Sequence, residues 1–162
     1  MTTVEEAVKQ PIVPSVSVGG VCLGDSKEAV LERLGAPLTT KQAEGDVEFL
    51  EYGPITVCIE GGRAVELVAE QGYFGADPSG LRVGTPWAEL LRIYPNVAPD
   101  EEEYEWYVPG LEGMSLDIVR PPGREEQPMF TPWVDEWHWV QDPEHAFVLS
   151  IRIHKGRSVP KK

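Results

Sequence analysis

A twelve-residue pattern recurs in this chain at a fixed spacing, and that internal match constrains the fold more than any other feature. Gly20-Val21-Cys22-Leu23-Gly24-Asp25-Ser26-Lys27-Glu28-Ala29-Val30-Leu31 aligns without a gap on Gly80-Leu81-Arg82-Val83-Gly84-Thr85-Pro86-Trp87-Ala88-Glu89-Leu90-Leu91, sixty residues later. Self-similarity of this kind marks a duplicated structural unit. Each copy reads glycine, three residues, glycine, a capping residue and then an amphipathic run. Asp25 is placed to cap a helix, with Glu28 completing a capping box. Thr85 is placed to cap the second, with Pro86 at the first helical position, where a missing N–H costs nothing. Apolar residues then fall on one helical face, at Val30, Leu31 and Leu34 and at Trp87, Leu90, Leu91 and Tyr94. Gly35 with Pro37 stops the first helix and Pro95 the second. Helices this short need a sheet to pack on.

After each helix the pattern changes to that of strands. Val47–Tyr52, Ile55–Glu60 and Ala64–Ala69 are strand candidates, the last two joined by the hairpin signal Gly61-Gly62. In the second half, Tyr104–Val108, Met114–Val119, Val134–Val140 and Phe147–His154 read as strands. In the last of these Phe147, Leu149, Ile151 and Ile153 form the expected core row, and Val148, Ser150, Arg152 and His154 alternate with them. Residues 120–132, rich in proline, glycine and charge, read as a loop. The expected fold class is α+β: two tandem helix-plus-antiparallel-sheet repeats with the helices on one face of the sheet. Repeat 1 spans residues 15–75 and repeat 2 residues 76–156. Residues 1–14 are a flexible lead-in and 157–162 a tail.

Charge narrows the function. Lys plus Arg total 14 against 27 Asp plus Glu, a formal net charge of -13. Such a surface repels phosphate backbones, which argues against nucleic acid, and steers association with a basic protein. Hydrophobic residues make up 41% of the chain, too many for a disordered acidic tail. The N-terminus lacks the pattern of a signal peptide and no stretch reads as a membrane span, so the expected location is cytoplasmic. Cys22 and Cys58, each between apolar neighbours, are then expected to be reduced and buried.

The run from Gly24 to Pro37 resembles the helix-opening signature of the SmpA/OmlA superfamily. Tyr52, the strand Ile55–Glu60 and Gly62-Arg63-Ala64-Val65 resemble the strand pair that follows it there. The second copy matches more loosely, through Gly84 to Leu91. The resemblance implies a helix-over-sheet module used for binding, with no catalysis and no cofactor. Single-copy members are small outer-membrane assembly lipoproteins, and two-copy members include the secreted β-lactamase inhibitor proteins, which grip an enzyme with a concave sheet. Cys22 lacks a lipobox, and the paired cysteines of those inhibitors are not evident, so neither anchoring nor target carries over.

Chemistry is sparse. The glycines at 19 and 20 lack the following Lys-Ser/Thr of a phosphate loop, and no serine sits in a nucleophile-elbow context. Glu136 and His138, two apart on a strand, would share a face as metal ligands do, with His154 as a further candidate, but no multi-His or multi-Cys spacing accompanies them. The aromatic residues point to protein binding. Trp133, Asp135, Trp137 and Trp139 fall on one strand face, and Trp106 lies in a preceding strand. Aromatic rings flanked by acids make an interface hot spot. The expected partner-binding residues are therefore Trp106, Trp133, Asp135, Trp137, Trp139 and Arg152. Glu101, Glu102 and Glu103 would steer the partner at the rim, and the Tyr73-Phe74 pair is either a loop anchor or a plug. The resulting expectation is a non-enzymatic inhibitor or immunity protein of antitoxin type that occludes a basic toxin or hydrolase. The alternatives are a scaffold subunit of a cytoplasmic complex or a metal-dependent enzyme built on Glu136 and His138.

Overall fold

The computed structural model describes residues 3–100, 105–119, 128–129, 138–139 and 146–154. Within them the chain runs α1 (Val4–Ala7), β1 (Ser17–Val18), β2 (Val21–Cys22), α2 (Lys27–Leu34), β3 (Thr39–Ala43), β4 (Val47–Glu51), β5 (Ile55–Glu60) and β6 (Arg63–Ala69). It continues through α3 (Trp87–Ile93), β7 (Ala98–Asp100), β8 (Glu105–Val108), β9 (Leu111–Val119), β10 (Pro128–Met129), β11 (His138–Trp139) and β12 (Phe147–His154). Eight strands form one antiparallel sheet in the order β3-β4-β5-β6-β12-β9-β8-β7. The pairs β1-β2 and β10-β11 stand apart from it.

This arrangement overturns the expected α+β pair of helix-plus-sheet repeats. The chain is mostly β, and its helices among the described residues are three short ones. The physical reason is the pairing of β6 with β12, from Ala69↔Ile151 to Glu66↔His154, which merges both strand sets into one sheet. What recurs at the sixty-residue offset is a docking turn. Gly24 N–H donates to Ala64 O (2.7 Å), Ala64 N–H to Asp25 O (2.8 Å) and Lys27 N–H to Gly62 O (2.9 Å). At the second site Gly84 N–H donates to Val148 O (2.7 Å), Val148 N–H to Thr85 O (2.9 Å) and Trp87 N–H to Ala146 O (2.9 Å). Gly24 and Gly84 both hold φ in the left-handed region, 90° and 94°, where a side chain would be strained. Each turn thus fastens the start of a helix to the start of a sheet strand.

The caps shift by one residue as a consequence. Ser26, not Asp25, caps α2, its hydroxyl accepting from Ala29 N–H at 3.1 Å, a contact worth about 1 kcal/mol. The Asp25 carboxylate turns back to accept from Cys22 N–H (2.9 Å), and the Thr85 hydroxyl accepts likewise from Arg82 N–H (3.1 Å). Pro86 stands at the N-cap of α3 with no side-chain cap.

The core lies between one sheet face and the segments laid over it. Ile55, Val57, Leu67, Leu116, Ile151 and Ile153 supply the sheet side, and Val30, Leu34 and Leu90 the helix side. Trp106 of β8 meets Trp87 of α3 edge to face, with centroids 5.3 Å apart and an interplanar angle of 76°. Residues 3–14, expected as a loose lead-in, are a third part of the cover: Ala7 and Ile12 are fully buried. Phe74 and Gly75 N–H both donate to Val8 O, and Ile12 N–H donates to Ala76 O. Tyr73 ties the same crossing, accepting from Gly19 N–H and donating to Gln10 O, each at 2.7 Å. The approach is so close that a Cβ at Gly75 would stand 1.9 Å from Gln10 O.

The row expected along β12 is also corrected. An irregularity between Val148 and Ser150 shifts the register against β9, so Val148 joins Ile151 and Ile153 in the core while Phe147 is exposed.

Tyr73→Phe removes the hydroxyl that satisfies two backbone groups. It is expected to lower unfolding stability by about 1–3 kcal/mol in urea denaturation, and an unchanged midpoint would contradict the role of this crossing.

Candidate interaction face

Helices and the N-terminal segment cover one side of the sheet, so the other side is where its polar side chains collect. Strand alternation and register place Thr56, Cys58, Glu66, Val68, Ser115, Asp117, Ser150, Arg152 and His154 on this face, which is helix-free among the described residues. Glu105 joins them from β8, where it reaches Arg152.

Arg152 stands at the centre of the face, on the strand that joins the two halves of the sheet. Its Nη1 lies 3.0 Å from Glu66 Oε1 on β6, and its Nε 3.1 Å from Asp117 Oδ2 on β9 and 3.4 Å from Glu105 Oε1 on β8. One guanidinium thus spans four adjacent strands. Burial works against its charge, but Asp117, Glu66 and Glu105 outweigh that cost and raise its pKa above the ordinary arginine value. The Ser150 hydroxyl donates to Asp117 at 2.5 Å, fixing that carboxylate from a second side. Glu70, just past β6, lies beside Thr56, with its Oε1 3.4 Å from the Thr56 hydroxyl. Burial, the dominant cause, raises the Glu70 pKa above the usual carboxylate value despite the attraction of Arg152.

Ser115 and His154 meet in the same face, Oγ to Nε2 at 2.8 Å, and both are buried. Ser115 belongs to an interior strand, where ladder pairing occupies the backbone N–H groups that an oxyanion would need. The contact links two strands across this face. Cys58 is no nucleophile: burial, with Glu66 and Glu60 adding to it, pushes its thiol up to about 11, so it is protonated at neutral pH. Both cysteines are free, and the expectation that they are buried fails, since Cys22 is exposed and Cys58 half-buried. Among the described residues no cluster of His, Cys, Asp and Glu is arranged to hold a metal ion, and no helix among them is long and apolar enough to cross a membrane.

The structure separates the residues singled out in the sequence. Arg152 belongs to the helix-free face, as expected for an outward residue of the last strand. Trp106 does not: it lies on the opposite face, packed on Trp87 against the core. Tyr73 is a buried plug, while Phe74 beside it is 66% exposed. Glu101, Glu102, Glu103, Trp133, Asp135, Glu136 and Trp137 lie outside the described residues. His138 and Trp139 form β11, which pairs with β10. Glu66, Glu70, Glu105 and Asp117 were not among the residues singled out in the sequence. The available signal was a charged residue at an alternate position of an apolar strand, as in Ala64-Val65-Glu66-Leu67-Val68 and Ser115-Leu116-Asp117-Ile118.

No family model and no curated protein matches the chain. Among solved structures, it is similar to an extracellular protein containing a SCP domain from Bacillus anthracis str. Ames. The identity is 11% and the TM-score 0.46, over 82% of this chain and 43% of that one. It is also similar to a cysteine-rich secretory protein from Staphylococcus aureus subsp. aureus Mu50, at 12% identity and a TM-score of 0.46, over 95% of this chain and 49% of that one. The chain thus spans less than half the length of either protein. Likenesses of this size leave function to be argued from the chain itself.

The raised pKa of Glu70 sets a testable sign. Its folded pKa lies above the unfolded one, so its contribution to stability is full below the unfolded value and is lost as pH rises through the folded value. Glu70→Gln is therefore expected to be more stable than wild type near pH 7, with the gain vanishing near pH 3.5, in paired urea titrations. A difference that stays constant with pH, or reverses, would contradict this placement of Glu70.

Proposed function

We propose that the chain is a non-enzymatic binding protein of inhibitor or immunity type, which receives a basic partner protein on the helix-free sheet face. The observation that carries this reading is the surplus of carboxylates around Arg152. Glu66, Glu105 and Asp117 already occupy its guanidinium, so Arg152 offers no open cation to an anionic ligand. Glu51, Glu60 and Glu70 add further negative charge on the same face, where Lys41 is paired with Glu51 at 3.5 Å. The net charge of -13 supplies the long-range field that would bring a cationic surface there.

The binding mechanism is steric. A broad sheet face that carries no helix among the described residues would cover an opposing active site without contributing chemistry of its own, and acidic residues speed the encounter more than they add to final affinity.

The test is capture of basic proteins from the source organism by wild type and by a Glu51→Lys, Glu60→Lys double variant. These positions flank the face and leave the Arg152 cluster intact. Wild type is expected to retain a basic protein whose own activity falls when the chain is added. That binding should weaken by about tenfold or more between low and high salt, and should be lost in the folded double variant. Equal retention by both proteins at both salt concentrations contradicts the proposal.

A further inference from the structure

The two borders of the sheet are guarded unequally. On one side β7 is three residues long, half-buried, and carries Pro99 at its centre, which has no N–H to offer. On the other, β3 is five residues long and every one of them is exposed. It contains no proline or glycine, and its one charge, Lys41, turns to Glu51 on the neighbouring strand. Proteins ordinarily blunt such an edge with proline, bulges or charged side chains, because it is a template for another strand, and Lys41 is the single guard of that kind on β3.

The direction of the β3 backbone groups follows from the bonds one strand further in. Tyr52 N–H donates to Ile55 O (2.9 Å) and Gly61 N–H to Asp46 O (3.1 Å), so Tyr52, Leu50, Glu48 and Asp46 address β5. The alternate residues Val47, Phe49 and Glu51 then address β3, and their partners Ala43, Lys41 and Thr39 point back at β4. Thr40 and Gln42 are left with N–H and C=O aimed away from the sheet. At the head of this edge Leu38 is 81% exposed. Acids border it: Glu44 and Asp46 are exposed in the turn after β3, while Glu48 and Glu51 on β4 are already paired with Lys27 and Lys41.

We propose that β3 accepts an extended, lysine- or arginine-bearing segment of a partner protein as a ninth strand of the sheet. Thr40 and Gln42 would supply the backbone hydrogen bonds, Leu38 an apolar contact, and the bordering acids the preference for a basic chain. A second copy of this chain fits the edge poorly, because pairing β3 with itself brings two bodies of net charge -13 together. The inference rests on the reading that the partner is basic, but it uses a surface distinct from the Arg152 face.

The probe is a capped eight-residue peptide of alternating lysine and valine, with its glutamate-valine counterpart and an N-methylated lysine version as controls. Backbone amide NMR and hydrogen exchange on the full chain give the readout. The lysine peptide is expected to slow exchange at the Thr40 and Gln42 amides by about tenfold or more, and the two controls are not. Thr40→Pro removes an outward N–H without breaking a bond to β4 and should weaken the peptide about tenfold, whereas Thr40→Val should bind like wild type. The N-methylated peptide makes the same test on unaltered protein. Unchanged exchange at Thr40 and Gln42 up to millimolar peptide overturns the proposal. So does protection that appears there with rising protein concentration alone, which would make a second copy the occupant. Shifts confined to residues around Arg152 overturn the edge proposal while sparing the proposed function. Edge protection by the lysine peptide together with unchanged capture of basic proteins by the Glu60→Lys single variant supports the edge and overturns the face.

Discussion

The pairing of β6 with β12 is the constraint on which the rest of the structure depends. Four strands of the first half and four of the second would otherwise end at two raw edges. Their register, Ala69↔Ile151 through Glu66↔His154, makes one sheet of them. It also sets which residues share a face: Ala69, Leu67, Ile151 and Ile153 go to the core, and Glu66, Val68, Arg152 and His154 to the other side. A slip of one residue would drive Arg152 into the apolar core, at a desolvation cost no nearby partner could offset. Arg152 reinforces the correct register by reaching carboxylates on β6, β9 and β8 at once.

The asymmetry of the two faces follows. Helices α2 and α3 are eight and seven residues long and could not cover an eight-stranded sheet alone. The N-terminal segment completes the cover, held by Tyr73 and by the backbone bonds to Val8. All of this apolar material is spent on one side. The other side keeps its carboxylates, three of which already engage Arg152, and that imbalance favours a cationic protein over an anionic ligand.

Local features of the fold were legible in the sequence. β5 begins and ends at the residues that its alternation and the Gly61-Gly62 turn predicted, and both glycines have the positive φ, 61° and 78°, that such a turn demands. The repeated Gly-x-x-x-Gly run located two turns with equivalent hydrogen bonds. It did not reveal that these turns serve one sheet, because the β6–β12 pairing joins residues about eighty apart and leaves no local trace. The burial of Ala7, Val8 and Ile12 was hidden for a similar reason: they sit in a polar, proline-flanked stretch whose partners are distant. At the candidate face, alternation in the last strand marked Arg152 as outward. The carboxylates that define its chemistry come from three other strands, so only the register assembles them. Trp106 was misplaced because tryptophan suits an interface and a core equally, and its contact with Trp87 decides between them.

Native-state hydrogen exchange across the seam tests the one-sheet architecture most directly. If β6 and β12 are the centre of a single cooperative sheet, their amides should exchange only by global unfolding, with β5 and β9 on either side sharing the same opening free energy. Separate opening of residues 27–69 and 87–154, with free exchange at Ala69 and Ile151 while the flanking strands stay protected, would contradict it. In that case the helix-free face would not exist as one surface.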